Sequence, residues 1–352
     1  MGSRKRGNRL SQYDRFEYYL GKMHYKALEL LNSLDTREKK LVEVYFERYY
    51  RTSSEHLWSV TKLFAHAMYV PMFLQIGFNN FSRTIYIDTH SGPGLAKIGK
   101  EEHDIVLGSP LISLYWPVIV GSEVEQFKNI KKGFNKIYLV DINPQNVSVL
   151  SKFVGDDKRV VIYNQDINHV LMNLSVGSDS LVYMFVDPYA SFDTQLDFNA
   201  LKAFVFKRKV DIMMSVFAKH IARGFSSIKN EATLQSRVEK LFGPGFCGKD
   251  SMVAKVLCTP RTITKKDSGI SNIVLKAFRL MFKELGYHRI EFIDVPFEKG
   301  VLYHIAVATK GSGSWIDGYV NYMKNKAPKD YETLRRIWLH TVGRTKTLDE
   351  FF

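Results

Sequence analysis

Cysteine is nearly absent from this chain of 352 residues, which has only Cys247 and Cys258. Two thiols cannot build a disulfide framework, a four-cysteine zinc site or an iron–sulfur cluster. They fit a reducing interior and are expected to be small buried hydrophobes. The ten histidines are scattered, with no H-E-x-x-H or similar spacing, so no metal site is expected. No G-x-S-x-G elbow appears, which removes the commonest serine-hydrolase reading. Long apolar runs are missing too, and none approaches the roughly 20 residues that span a bilayer. The opening residues MGSRKRGNRL are basic, but a polar amphipathic stretch follows them instead of the apolar core of a signal peptide. The expectation is a cytoplasmic protein without a membrane partner.

Apolar material is plentiful, at 45% of residues, enough for one large domain with additions or two of ordinary size. Positive charge is also in excess, with a formal net of +14, and it is unevenly placed. Residues 81–201 carry 10 basic and 14 acidic groups, whereas 202–289 carry 18 and 6, and 323–346 carry 7 and 2. Concentration of the excess in the second half points to a polyanion partner, nucleic acid first; solvated basic helices are the plainer alternative. No strongly amphipathic basic helix stands out to favour a membrane surface.

Three stretches are expected along the chain. Residues 1–80 read as a helical N-terminal extension, with apolar groups at three- and four-residue spacing in 15–34, a second helix capped by Asp35, and a third over 58–78 kinked at Pro71. From residue 83 short apolar runs alternate with helical segments: RTIYIDTH, KIYLVDI (136–142), RVVIYNQD (159–166), SLVYMFVDP (180–188) and DIMMSVFA (211–218). A polar insertion separates the first two at 97–107, and a basic helical insertion occupies roughly 219–285. Runs at 288–297 and 301–310, joined by a short EKG link, must pair antiparallel. This grammar predicts an α/β fold, a doubly wound and mostly parallel sheet of the methyltransferase-like Rossmann type ending in an antiparallel hairpin. Residues 81–310 form that domain, and 311–352 a basic helical tail.

Ligands of such sheets bind at the carboxyl ends of the strands. The first strand ends in Asp88-Thr89-His90-Ser91-Gly92-Pro93-Gly94, where the glycines allow close backbone approach and the proline stiffens the turn. This is neither G-x-G-x-x-G nor a P-loop. Asp141 ends the second strand, where a carboxylate can accept both hydroxyls of a ribose. It lies 47 residues past Gly94, more than the usual spacing of about 20, and the insertion explains part of the excess. Asp166, closing the third strand, is placed to bind an adenine amino group. After the fourth strand, Asp187-Pro188-Tyr189 can set a carboxylate and an aromatic face beside a flat base. Each aspartate alone has a plainer reading as a strand-end cap or turn former; three successive strands ending alike make that reading harder to hold. His90 as a base, and His220 and Arg223 facing substrate phosphate, are weaker candidates.

The ordered series WSVTK (58–62), IDTHSGPG, GSPL (108–111), VDIN, FVDPYA, SVFAKHIARGF and LYHIAVATK resembles the three-Cys-motif partner (TcmP) family over roughly residues 55–310. The resemblance implies a Rossmann-fold S-adenosylmethionine-dependent methyltransferase-like protein, and a neighbouring protein as a partner. Carried onto this chain, the family's D-x-x-x-G-P-G loop falls on Asp88, Gly92, Pro93 and Gly94. Its acidic strand end falls on Asp141, and its F-V-D-P-[FY] on Phe185 to Tyr189. That last motif is similar to the Asp-Pro-Pro-Tyr box of amino-methyltransferases, but Tyr189 stands where the second proline would be, which puts amino-group methylation in doubt. The cofactor is then expected as S-adenosylmethionine, with Ser91, Gly92 and Gly94 on its methionine part and Asp88 on its amino group, directly or through water. Asp141 would take the ribose, Asp166 the adenine, and Asp187 with Pro188 and Tyr189 would form the catalytic tip acting on an RNA or DNA base. Asp141→Ala is expected to weaken cofactor binding and leave the fold intact. The alternatives are a non-catalytic nucleic-acid-binding protein and a partner subunit that keeps the fold.

Overall fold

Five short strands in a row are almost wholly apolar, so each needs cover on both faces. The computed structural model, which describes residues 13–49, 56–101, 103–188, 196–260, 269–297, 300–311 and 315–343, meets that need with one seven-stranded sheet. Its order is β5-β4-β1-β6-β7-β9-β8, with β1 Arg83–Asp88, β4 Lys136–Val140, β5 Val160–Tyr163, β6 Ser180–Val186, β7 Lys209–Val216, β8 Arg289–Phe297 and β9 Gly300–Thr309. The first five pair parallel. β9 runs antiparallel to both β7 and β8, as the closeness of the last two runs in sequence requires. This is the doubly wound arrangement ending in a hairpin that the alternating pattern predicted.

Successive side chains leave opposite faces of a strand, and the core divides accordingly. Tyr86, Tyr183 and Phe185 point to one face, where they pack with helices α1 Asp14–Ser33, α2 Thr36–Tyr49 and α3 Trp58–Asn80. On that same face lie α4 Ser109–Glu123, α5 Pro144–Val154 and the closing helices over 315–326 and 331–341. Ile85, Ile87, Val182 and Met184 point to the other face. It is covered by α6 Ile167–Asn173, α7 Phe198–Val205, α8 Ala218–Ser226, α9 Glu231–Phe242, α10 Met252–Cys258 and α11 Ile270–Glu284. The helix α3 continues through Pro71.

Three expectations are corrected. The polar insertion at 97–107 is part of a small antiparallel ribbon, β2 Leu95–Lys97 with β3 Ile105–Leu107, whose apolar ends are buried in the core. The third strand stops at Tyr163, so Asp166 does not close it; Asp166 is the N-cap of α6 and accepts from the Asn168 N–H. Cys247 and Cys258 are joined in a disulfide. The turn between α9 and α10 brings their Cα atoms to 5.6 Å, within the span such a bond needs. They are therefore a bonded pair rather than two separate hydrophobes.

Candidate functional site

The carboxyl ends of β1, β4, β5, β6 and β7 share one edge of the sheet, and the loop after β1 lies across it. The Thr89 N–H donates to Phe185 O (3.0 Å), while the Ser91 N–H and hydroxyl both donate to Val140 O at 3.0 and 2.9 Å. Bonding to the tips of both neighbouring strands fixes the loop's height above the edge. Gly92 and Gly94 then adopt φ of 61° and 93°, a region that side chains resist. A Cβ on Gly94 would press on Leu150 and Leu111 at 3.0 and 3.2 Å, whereas one on Gly92 would meet nothing within 4 Å. The backbone is thus open at Gly92 for a ligand to approach.

Asp141 faces that opening and holds it together. Its Oδ2 accepts from the Gly92 N–H (2.8 Å) and from Asn146 Nδ2 (2.9 Å), and its Oδ1 from the Asn143 N–H (2.8 Å). One carboxylate therefore ties the first loop to the start of α5, and Asp141→Ala cannot leave the local fold untouched, contrary to the expectation above. Each carboxylate oxygen has two lone pairs, so Oδ1 keeps capacity for a hydroxyl. Next to it, Ile142 is 70% exposed, an apolar side chain held beside a polar loop by Asn164, whose Nδ2 donates to the carbonyls of both Asp141 and Ile142 at 3.0 Å. Asp166 is exposed. Ile142 escaped the sequence reading, where it passed as the last residue of a strand.

Asp88 is fully buried at 0% exposure. Its carboxylate accepts from the Tyr86 hydroxyl (2.9 Å), from the His90 N–H (3.3 Å) and from Ser109. Burial outweighs these bonds and pushes its pKa up to about 7. Behind it sits His66 of α3, also at 0% exposure and pushed down to about 3 by burial. The neutral ring donates from Nε2 to Ser109 O (3.1 Å) and accepts at Nδ1 from the Tyr183 hydroxyl (2.8 Å). A buried polar chain thus links α3 and α4 to the root of the first loop. His90 lies above, its pKa lowered by burial to about 4 although the carboxylates of Asp187, Asp141 and Asp166 all pull it upward. Asp141 and Asp187, just past β4 and β6, thus flank the first loop, with Asp166 at the start of α6.

Asp187 follows β6, and Pro188 beside it is buried; Tyr189 lies outside the described residues. The Asp187 carboxylate is ion-paired with Lys62 of α3. Nearby, Tyr303 of β9 feels the Asp187 charge and donates its hydroxyl to Trp58 O at 3.2 Å. Phe217 packs on Tyr303 with ring centres 4.7 Å apart, and His220 stands edge-on to Phe217. Aromatic groups just after β7 and in β9 therefore pack together beside the tip. Lys62 was legible only as part of a motif, yet it is the one charged residue in the 23 of α3, and an isolated charge on an apolar helix needs a partner.

Part of the basic excess of 202–289 lies at the two edges. Lys219 and Arg223 of α8 are exposed beside the tips. Lys207, Lys209 and Arg289 are exposed at the opposite edge, where β7 and β8 begin, next to Phe206 at 60% exposure. Among the described residues there is no group of three metal-ligating side chains and no helix long and apolar enough to cross a membrane.

No protein-family model matches the chain, and no curated protein matches its sequence. Solved structures do share its outline. It is similar to the Legionella pneumophila protein LPL1258, with 13% identity and a TM-score of 0.41 over 74% of this chain and 92% of that one. It is also similar to the methyltransferase domain of the bacterial protein CtHen1, with 13% identity and a TM-score of 0.32 over 70% and 97%. A third is a SAM-dependent O-methyltransferase from Thermotoga maritima, with 12% identity and a TM-score of 0.32 over 70% and 65%. The fold described here rests on the strand order and register themselves.

Proposed function

We propose that the chain binds S-adenosylmethionine at the tips of β1, β4 and β5 and transfers its methyl group to a nucleic acid positioned at Asp187. The observation that carries the reading is a glycine loop open at Gly92 and tied through its N–H to Asp141, on a strand flanked by the tips that carry Asp141 and Asp187. Such a set suits this cofactor. Asp141 Oδ1 accepts a ribose hydroxyl, the exposed Ile142 covers one face of an adenine, and Asp166 accepts its amino group. The Gly92 backbone lies along the methionine part. Asp88, with no exposed surface, supports the loop through the His90 N–H, so its effect on the cofactor's ammonium is through bridging groups rather than direct contact. The bound cofactor supplies an electrophilic sulfonium methyl, and the protein's task is to align an acceptor with it.

The nucleic-acid part of the proposal is supported by the net charge of +14 and by Lys219 and Arg223 beside the tips. The resemblance of the ordered motifs to three-Cys-motif partner proteins favours the same cofactor. Calorimetric titration of the purified chain with S-adenosylmethionine and S-adenosylhomocysteine tests the reading. Micromolar binding of both is expected. No heat and no thermal shift at millimolar ligand refutes a cofactor site and leaves salt-dependent nucleic-acid binding as the function to pursue.

A further inference from the structure

Three features of the catalytic tip bear on which atom receives the methyl group. First, Asp187 is not a free acceptor: one of its oxygens is engaged by the Lys62 ammonium. Second, Lys62 comes from a helix whose other 22 residues carry no formal charge, so its cation is aimed at this tip and nowhere else. Its side chain and that of Asp187 keep only 14% and 22% of their exposure, which leaves the pair poorly screened. Third, among the described residues Asp187 is the carboxylate paired with Lys62, whereas Asp88 and Asp141 are engaged by donors of the first loop and its surroundings.

A nitrogen acceptor gains positive charge as it attacks a sulfonium methyl, and a fixed ammonium beside it opposes that change. An oxygen acceptor loses a proton and gains negative charge, and the same ammonium favours it. Resting on the reading above, we infer that the acceptor is a hydroxyl oxygen and that Lys62 is a catalytic residue for its methylation. Inside a nucleic acid strand the hydroxyl available is the ribose 2′-OH, so the substrate is RNA rather than DNA.

The step balances without an added reagent. A hydroxyl oxygen lone pair forms the new O–CH₃ bond as the S–CH₃ bond breaks. The sulfur keeps that electron pair as a neutral thioether. The hydroxyl proton passes to Asp187 Oδ1, which has no partner among the described residues, and then to water. Lys62 stays protonated throughout and hydrogen-bonds the acceptor oxygen as its charge develops. Of the aromatic groups nearby, the half-buried Phe217 offers a face against which the neighbouring base rests.

The test incubates the full chain with methyl-labelled S-adenosylmethionine and mixed-sequence RNA and DNA strands of matching sequence, digests both to nucleosides and locates the label. Label on the ribose oxygen of RNA nucleosides and none on DNA is expected. Lys62→Met should lower kcat about a hundredfold or more, with cofactor affinity unchanged in calorimetry, and Lys62→Arg should restore part of the rate. Label on a base nitrogen or carbon, DNA methylated as well as RNA, a Lys62→Met rate within threefold of wild type, or no label on RNA from a chain that binds cofactor, each overturns the inference. A chain that fails to bind cofactor overturns the earlier reading instead. Unchanged calorimetry in Lys62→Met separates a catalytic loss from a folding defect.

Discussion

Asp141→Ala separates two roles that the strand-tip carboxylate combines. It accepts three hydrogen bonds, from the Gly92 and Asn143 N–H groups and from Asn146 Nδ2, all at 2.8–2.9 Å. Bonds to a charged group contribute about 1.5–3 kcal/mol each. They share one acceptor and so do not add, and Gly92 and Asn143 are half-buried, so water replaces part of what is lost. A net cost of about 3 kcal/mol follows. With an unfolding entropy of about 2.1 cal/mol/K per residue, 352 residues translate this into a fall of about 4 °C in Tm. Thermal unfolding followed by circular dichroism, with no ligand present, measures it. Asp141→Asn should fall between, because its amide keeps one acceptor oxygen but turns a donor toward a donor. An unchanged Tm in Asp141→Ala would refute the bonding described at this tip, and cofactor affinity in that variant is interpretable only beside this number.

Asp88→Asn removes a buried acid whose folded pKa is about 7. The folded protein binds that proton more tightly than the unfolded chain does, so wild type loses stability relative to the variant as pH rises from about 4 to about 7, and the difference is flat above. Denaturant melts at about pH 5 and about pH 8 check this, and a relative stability of wild type that grows with pH would contradict it. His66→Leu should cost about 2–4 kcal/mol, because the Ser109 carbonyl loses a side-chain donor and the Tyr183 hydroxyl keeps only the weaker Met213 sulfur as acceptor in a dry interior. A shift in urea midpoint with unchanged slope reads it, and an unshifted midpoint counts against the buried chain.

Much of the fold was legible because a doubly buried strand leaves a continuous apolar run, and five of these alternate with helices. The closing hairpin followed from two such runs too close together for a crossover. The ribbon β2–β3 escaped because three-residue strands have no period to detect, and its polar middle looked like an insertion. Of the site, the three tips were readable from position alone. What they touch was not. Asp141 as a tie, Asp88 as a buried acid and Asp166 as a helix cap depend on backbone N–H groups that no side-chain pattern announces. The ion pair of Lys62 with Asp187 spans 125 residues, and the disulfide spans a turn whose geometry the spacing of two cysteines leaves open. The resemblance to three-Cys-motif partner proteins pointed to the segment holding Lys62 without saying what it does.

Hydrogen exchange of the full chain with and without S-adenosylhomocysteine tests the central claim most directly, because it reports where a ligand sits as well as whether it binds. Protection is expected in peptides covering 88–95, 141–146 and 164–168, with none at the opposite edge around 206–209. Slowed exchange confined to other segments, or none at ligand concentrations that saturate the calorimetric titration, would contradict a cofactor site built from these strand tips.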